Sequence, residues 1–109
     1  MAIGPGKWSP AEATRRINEC AKPLQLNVAL TAHAKEQLME RALIVGDLIH
    51  LLKTGFVYEE PEPATREGFF KYRVEGTTPN SGRRTVRAVV IPNGDCNLKI
   101  VTVMWRDEK

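Results

Sequence analysis

The feature that most constrains the fold is a change in hydrophobic spacing at Gly55. Before this glycine, apolar residues recur three or four positions apart, as on the buried stripe of a helix. After it, apolar and polar residues alternate, as on a half-buried strand. The chain has 109 residues, which is the size of one domain. We therefore expect a single α+β domain over residues 9–109, behind a flexible tail at residues 1–8.

Capping residues predict where the helices begin. Ser9 precedes Pro10 at a first helical position, and Thr31 precedes a second apolar stripe. A third helix is predicted from about Val45 to Thr54, and Gly55 is placed to end it in a left-handed conformation. On the second helix, the expected core residues are Ala34, Leu38, Met39 and Ala42. On the third, the residues expected on the solvated side are Asp47, His50 and Lys53.

Alternation and turn residues predict the sheet. The expected strands are Phe56–Glu60, Gly68–Thr77, Arg83–Ile91 and Leu98–Arg106, with a loop at Pro61–Glu67 and a short strand or extended connector at Leu26–Leu30. Turns at Pro79–Gly82 and Pro92–Asp95 make the last three strands antiparallel neighbours. Continuous apolar runs in the last two strands predict that they are central and covered on both faces. The expected fold is two to three N-terminal helices packed on a three- to four-stranded antiparallel sheet.

Composition excludes several classes of protein. We find no apolar run of the ~18 residues that a membrane span needs, and no apolar core of a signal peptide at the start. A cytoplasmic protein without membrane contact is therefore expected. Cys20 and Cys96 lie far apart with no CxxC partner, which predicts two free thiols. The sequence shows no phosphate-binding glycine loop, nucleophile elbow or metal-ligand cluster, so no cofactor and no metal are expected.

Positive charge is concentrated in one short stretch. Residues 66–87 contain six Lys or Arg and two Asp or Glu, whereas residues 1–65 contain seven and eight, and residues 88–109 three and three. Such a patch is typical of a surface that contacts phosphates or an acidic partner, although a solvated strand face gives the same pattern.

Alternation decides which cations can act together. Lys71 and Arg73 share one face of their strand, and Arg87 can join them from the hairpin partner. Arg83 lies at the turn, and Arg84 points to the side opposite Arg83. The first three could hold a phosphodiester and stabilise the charge that develops when a ribose 2'-hydroxyl attacks phosphorus, without a metal.

His33 is the candidate acid or base because its reference pKa lies near ~6.5. A histidine in the first turn of a helix can equally be a satisfied polar residue. Further candidates for RNA contact are Arg41, Arg84, Trp105 and Arg106. Arg41 can instead pair with a neighbouring glutamate, and Trp105 can instead belong to the core.

Several segments resemble a known family. Residues 31–34 (TAHA), 72–76 (YRVEG) and 102–105 (TVMW) are similar to a small bacterial and phage family of unknown function, which itself resembles the RelE-like, MqsR-type ribonuclease toxins. The resemblance implies an RNA-cleaving toxin of a type II toxin-antitoxin pair, active without metal and held inactive by a cognate antitoxin protein. It matches Lys71 to a polar strand residue and Arg106 to a lysine. The catalytic tyrosine has no match, since the nearest position here is Val86.

Two functions from different classes follow. The first is a metal-independent endoribonuclease that uses His33, Lys71, Arg73 and Arg87 in catalysis. The second is a binding module that docks nucleic acid or an acidic partner protein without turnover. A toxin that blocks a protein target is a third possibility.

Overall fold

Three helices and six strands make up the described part of the computed structural model, which covers residues 4–22, 27–93 and 96–108. The helices are α1 (Pro10–Ala21), α2 (Ala32–Glu40) and α3 (Val45–Thr54). The strands are β1 (Asn27–Leu30), β2 (Phe56–Val57), β3 (Glu62–Pro63), β4 (Phe70–Gly76), β5 (Val86–Pro92) and β6 (Asn97–Trp105). Residues 1–3 of the predicted tail, Leu26 of the predicted connector, and Gly94 and Asp95 of the predicted turn lie outside the described residues.

The strands form one mostly antiparallel sheet in the order β1-β6-β5-β4-β2, with β3 also paired to β4. The predicted α+β class is confirmed, but the sheet has more strands than the three or four expected. One addition is β1, which runs parallel to β6. The other is β3, which pairs with β4 inside the predicted loop. The predicted strand over residues 56–60 ends at Val57, and the chain returns to β4 at Glu62, where an edge strand tolerates Pro63.

The helices cover one face of the sheet. Alternate residues of β4 and β5 are buried there with the apolar stripes of α1 and α3: Tyr72, Val74, Val86, Ala88, Val90, Ile17, Leu51 and Leu52. The opposite face, which we call the open face, carries Lys71, Arg73, Glu75, Arg87, Val89, Ile91, Lys99, Thr102 and Met104. Although β5 and β6 are central as predicted, their open-face residues such as Val89 and Met104 are only half-buried. The expectation that both faces are covered is therefore wrong.

Three helix ends differ from the prediction. Met39 is 80% exposed, and Ala42 follows the end of α2 with a φ of 55°, so Leu43 takes the core position instead. Asp47 was expected in solvent but is buried, and its carboxylate accepts the backbone N–H of Ile44 at 2.9 Å, which offsets the cost of burial. Gly55 does end α3, but its φ is −76°, which is not left-handed.

Close packing explains why a glycine follows α3. A Cβ on Gly55 would lie 2.6 Å from the Leu51 carbonyl oxygen and 2.7 Å from Cγ1 of Val74. The residue is therefore needed for the approach of the helix to β4 rather than for its backbone angles.

Cys20 and Cys96 form a disulfide, with a Cα–Cα distance of 5.1 Å. The prediction of two free thiols is wrong because the bond joins residues 76 positions apart, and only the fold brings them together. The bond fastens the last turn of α1 to the connection between β5 and β6.

The segment before α1 contacts the sheet through Trp8. The backbone N–H of Trp8 donates to the Tyr72 hydroxyl at 2.8 Å, and the rings of the two residues stack with centroids 5.6 Å apart. The flexibility of residues 1–8 stays a prediction. None of the helices among the described residues is both long and apolar enough to cross a membrane.

Candidate functional site

A buried carboxylate lies on the open face among the cations that were predicted from the sequence. Glu75 is 5% exposed, and the β4–β5 register places it directly opposite Arg87. Its Oε2 lies 2.8 Å from Nε of Arg87, and its Oε1 lies 3.1 Å from Nε of Arg106. Burial of a carboxylate is costly unless such partners compensate. The two arginines therefore fix Glu75 in place, and each has further N–H groups to offer to a ligand.

Two adjoining hollows open beside this cluster. One has a volume of about 400 Å³ and is lined by Arg83, Arg84, Thr85, Arg87, Arg106 and Asp107. The other, of about 360 Å³, is lined by Tyr58, Glu75, Gly76, Thr77, Thr85 and Arg106. Thr85 and Arg106 border both hollows. Four guanidinium groups against one carboxylate make the first hollow suited to an anion. We call Glu75, Arg83, Arg84, Arg87 and Arg106 the arginine end of the open face.

Arg73 lies on the open face of β4, between Glu75 of the arginine end and Lys71. It forms ion pairs with Glu62 and with Glu59, the latter at 3.3 Å. The hydrogen bond from Arg73 lowers the pKa of Glu62, and the same bond raises the pKa of Arg73. Glu59 also lies 4.0 Å from Arg87. An anion that binds here must therefore compete with carboxylates of the chain itself.

A cavity larger than either hollow lies at the other end of the open face. It has a volume of about 660 Å³, and its lining includes Lys71, Lys99 and Arg66 around the aliphatic side chains of Leu30, Ile91 and Val101. We call it the lysine groove. Lys71 shares the open face with Arg73 and Arg87, as the alternation predicted, but it lines this groove and neither hollow of the arginine end.

The structure brings some of the predicted residues together and separates others. Arg84, Arg87 and Arg106 line one hollow, and Arg83 joins them. Both Arg83 and Arg84 precede β5, so the strand alternation used to predict their opposite directions does not apply to them. His33 is exposed in the first turn of α2 and lines none of these three cavities.

Besides Arg106, three predicted RNA contacts have partners within the chain. Arg41 is paired with Glu108 and lies 3.8 Å from Glu40, and Glu108 in turn accepts the Trp105 N–H at 3.1 Å. Trp105 is half-buried against the core, and the Arg84 guanidinium lies 4.1 Å from the centroid of its ring. Arg84 also pairs with Asp107 at 2.9 Å, which lowers the pKa of Asp107. Trp105 therefore helps to position Arg84.

Sequence reasoning missed Glu75, Glu59 and Tyr58. Glu75 could have been found, because it follows Lys71 and Arg73 at the same two-residue spacing and must share their face. The positions of Glu59 and Tyr58 depend on the break between β2 and β3, for which the sequence offers only the two prolines. Among residues 4–22, 27–93 and 96–108, no group of three His, Cys, Asp or Glu side chains is placed to hold a metal ion.

Comparison with known proteins identifies the family of this chain. The chain belongs to a family described as Domain of unknown function (DUF4258), whose model matches residues 30–105. The matched range holds every residue of the arginine end except Arg106. No curated protein and no solved structure matches this chain. The family match agrees with the uncharacterised family suggested by the sequence, and the likeness to RelE-like toxins stays a prediction.

Proposed function

We propose that this chain is a metal-independent endoribonuclease that binds RNA on the open face and cleaves it at the arginine end. The observation that carries the proposal is the Glu75 carboxylate, which is buried and held between Arg87 and Arg106 at the border of two hollows. A carboxylate can accept a proton, and guanidinium groups can stabilise a phosphate that gains charge. Cleavage by attack of a 2'-hydroxyl uses both a proton acceptor and groups that stabilise the charge on the phosphate.

The reaction divides between these groups. Glu75 takes the proton of the 2'-hydroxyl while the 2'-oxygen forms a bond to phosphorus, and the bond from phosphorus to the 5'-oxygen breaks. Arg87 and Arg106 stabilise the five-coordinate phosphorus between these events. The leaving 5'-oxygen receives a proton from the Tyr58 hydroxyl, which lines the same hollow as Glu75. The products are a 2',3'-cyclic phosphate and a free 5'-hydroxyl.

This assignment changes the roles that the sequence suggested. Tyr58 replaces His33 as proton donor because His33 lines neither hollow. Glu75, which was not a candidate, becomes the base. Arg87 and Arg106 keep their phosphate-binding roles, and Arg83 and Arg84 supply further positive charge to the hollow beside them. Lys71 and Arg73 contact the RNA away from the bond that is cut.

The proposal includes the biological setting implied by the resemblance, a toxin of a type II toxin-antitoxin pair held inactive by an antitoxin protein. An open reading frame for a small partner beside this one, whose product blocks cleavage, would support it. A cytoplasmic location fits the same proposal. The Cys20–Cys96 disulfide is the observation against that location, since disulfides are rare in reducing compartments.

The test is cleavage of a labelled single-stranded transcript in the presence of a chelator. We expect wild type to produce 2',3'-cyclic phosphate ends, and Glu75→Gln to cleave about a hundredfold or more slowly. The matched control is Glu60→Gln, which removes an exposed glutamate that pairs with Lys7 at 3.4 Å, and it should cleave as wild type does. Equal cleavage by Glu75→Gln and wild type would overturn the assignment of the base.

A second candidate function is binding without turnover. The observation that favours it is the neutralisation of Arg73 and Arg87 by glutamates, which leaves fewer cations to stabilise a transition state. In the same assay, salt-sensitive RNA binding by wild type with no fragments would support the binding module.

A further inference from the structure

The lysine groove has the properties of a nucleotide-binding site. Its volume of about 660 Å³ is within the range of small-ligand pockets. Leu30, Ile91 and Val101 give it half-buried aliphatic walls, while Asn27 and Asn97 add side-chain amides. A nucleobase has apolar faces and hydrogen-bonding edges, so such a lining complements it.

The charged residues of the groove indicate that the ligand also carries a phosphate. Among the residues that the structure describes, the fifteen that line the groove include Lys71, Lys99 and Arg66 and no acidic residue. This differs from the arginine end, where each hollow is lined by a carboxylate. Lys99 is exposed on β6, and the register places it opposite Ile91 of the apolar wall. Outside the lining, Glu62 lies opposite Lys71 and interacts with it electrostatically. An apolar wall beside three cations fits a base with its phosphate attached.

The groove is on the path of an RNA held at the arginine end. Lys71 and Glu75 lie on the same face of β4, four residues apart, which corresponds to about 13 Å along a strand. A few nucleotides of single-stranded RNA can cover this distance, with Arg73 between the two ends. Paired bases in a duplex cannot turn into the groove, because their faces are stacked and their edges are paired.

We propose that the lysine groove is a subsite for an unpaired base and its phosphate, located a few nucleotides from the bond that is cut, which makes single-stranded RNA the substrate class. This inference rests on the proposed function. It adds a second contact region with a different chemistry, in which lysines hold phosphate and aliphatic side chains cover the base.

Binding of RNA that cannot be cleaved tests the subsite. The probes are fluorescent 2'-O-methyl oligonucleotides, a dinucleotide and a hexanucleotide, measured by anisotropy with a chelator present. The hexanucleotide should bind wild type about tenfold more tightly than the dinucleotide because it reaches the groove. The double variant Lys71→Gln with Lys99→Gln should lose this gain, and its salt dependence should fall by about 1.4 in the log-log slope. Annealing the hexanucleotide to its complement should also remove the gain.

Two further variants separate the groove from general electrostatics. Lys35→Gln with Lys53→Gln removes the same charge from exposed positions on α2 and α3, and should keep the gain. Ala29→Trp adds bulk to the groove without changing charge, and should lose the gain with an unchanged salt slope. A gain that survives both Ala29→Trp and the groove lysine variant would overturn the subsite while leaving RNA binding in place. A groove-dependent gain without cleavage would keep the subsite and overturn the nuclease.

Discussion

The two ends of the open face carry the same sign of charge but differ in how that charge is held. At the arginine end, Arg87 and Arg106 are fixed on Glu75, and Arg84 is fixed between Asp107 and Trp105. In the lysine groove, Lys71 and Lys99 lie beside aliphatic side chains, and none of the described lining residues is acidic. The first arrangement orders planar groups at defined angles, whereas the second leaves flexible ammonium groups around an apolar surface.

The way in which the charge is held determines what each end can do. Fixed guanidinium groups suit a step in which charge develops at one place, because their donors need not be reorganised as it forms. Flexible lysines suit a ligand whose position varies with sequence, because an ammonium group acts as a point charge. Each end also depends on a different structural support, so variants of those supports distinguish the two ends.

The largest expected effect comes from the Cys20–Cys96 disulfide, which supports the groove end. Its removal opens a closed loop of about 76 residues, so the loop-entropy model predicts a loss of about 4 kcal/mol in the free energy of unfolding. Cys20→Ser with Cys96→Ser should show this loss in urea unfolding. Asn97 follows Cys96 and lines the groove, so the binding gain of the hexanucleotide should fall while dinucleotide binding changes little.

Alkylation of unreduced protein provides the control for this variant. Wild type purified under oxidising conditions should show no reactive thiol until a reductant is added. Two reactive thiols before reduction, or the same urea midpoint with and without reductant, would contradict the role of the bond.

The disulfide also shows where sequence reasoning stopped. Local patterns predicted the start of α1 and both ends of α3, because the caps and the apolar stripes that define helices lie within a few positions. The pairing of Cys20 with Cys96, and of β1 with β6, depends on distant parts of the chain that only the folded sheet brings together. No spacing rule in a single sequence encodes such a contact.

The candidate site was predictable in part for a similar reason. Alternation placed Lys71, Arg73 and Arg87 on one face, because the face of a strand is fixed by its two-residue period. It could not show that Lys71 and Arg87 line different cavities, since position along the face depends on the register and on neighbouring loops. Glu59 reaches Arg73 because the edge pairing is interrupted between β2 and β3, and that interruption is a tertiary feature.

The second prediction concerns Asp47, which supports the arginine end. Its carboxylate accepts the Asn80 N–H at 2.9 Å and the Asn80 side-chain amide at 3.0 Å, and so holds the loop before Arg83. Asp47→Ala should lower the free energy of unfolding by about 3 kcal/mol, because buried donors lose their acceptor. Cleavage should fall more than binding in the lysine groove does. Glu36→Ala, at an exposed position of α2, should leave the urea midpoint unchanged.

The pH dependence of this contribution follows from its sign. Burial acts to raise the pKa of Asp47, but the hydrogen bonds from Ile44 and Asn80 outweigh it, and the pKa is lowered. The stabilisation is therefore complete above the unfolded pKa of about 3.9 and is lost as the pH falls through the lower folded value. The difference in urea midpoint between wild type and Asp47→Ala should shrink below about pH 4. A difference that grows on acidification would contradict this account.

The third prediction exchanges the two kinds of cation. Arg87→Lys keeps the charge but cannot bond Glu75 and a phosphate with one planar group, so cleavage should fall about tenfold or more. Lys99→Arg in the groove should change hexanucleotide binding by less than about twofold, because a point charge suffices there. Cleavage rates and anisotropy on the same preparations measure both. If the exchange is tolerated equally at the two ends, the distinction between fixed and flexible cations is wrong.

The smallest expected effect concerns Glu59, which lies between the ends. Its carboxylate pairs with Arg73 at 3.3 Å and lies 4.0 Å from Arg87, so it competes with a phosphate for both. Glu59→Gln should raise the affinity for the hexanucleotide about two- to fivefold at low salt. This increase over wild type should vanish at high salt, because the effect is electrostatic. Glu36→Gln makes the same charge change on α2 and should produce a smaller gain. Weaker binding by Glu59→Gln would contradict this account. It would mean that the Glu59 carboxylate orders Arg73 and Arg87 for RNA binding instead of competing with RNA for them.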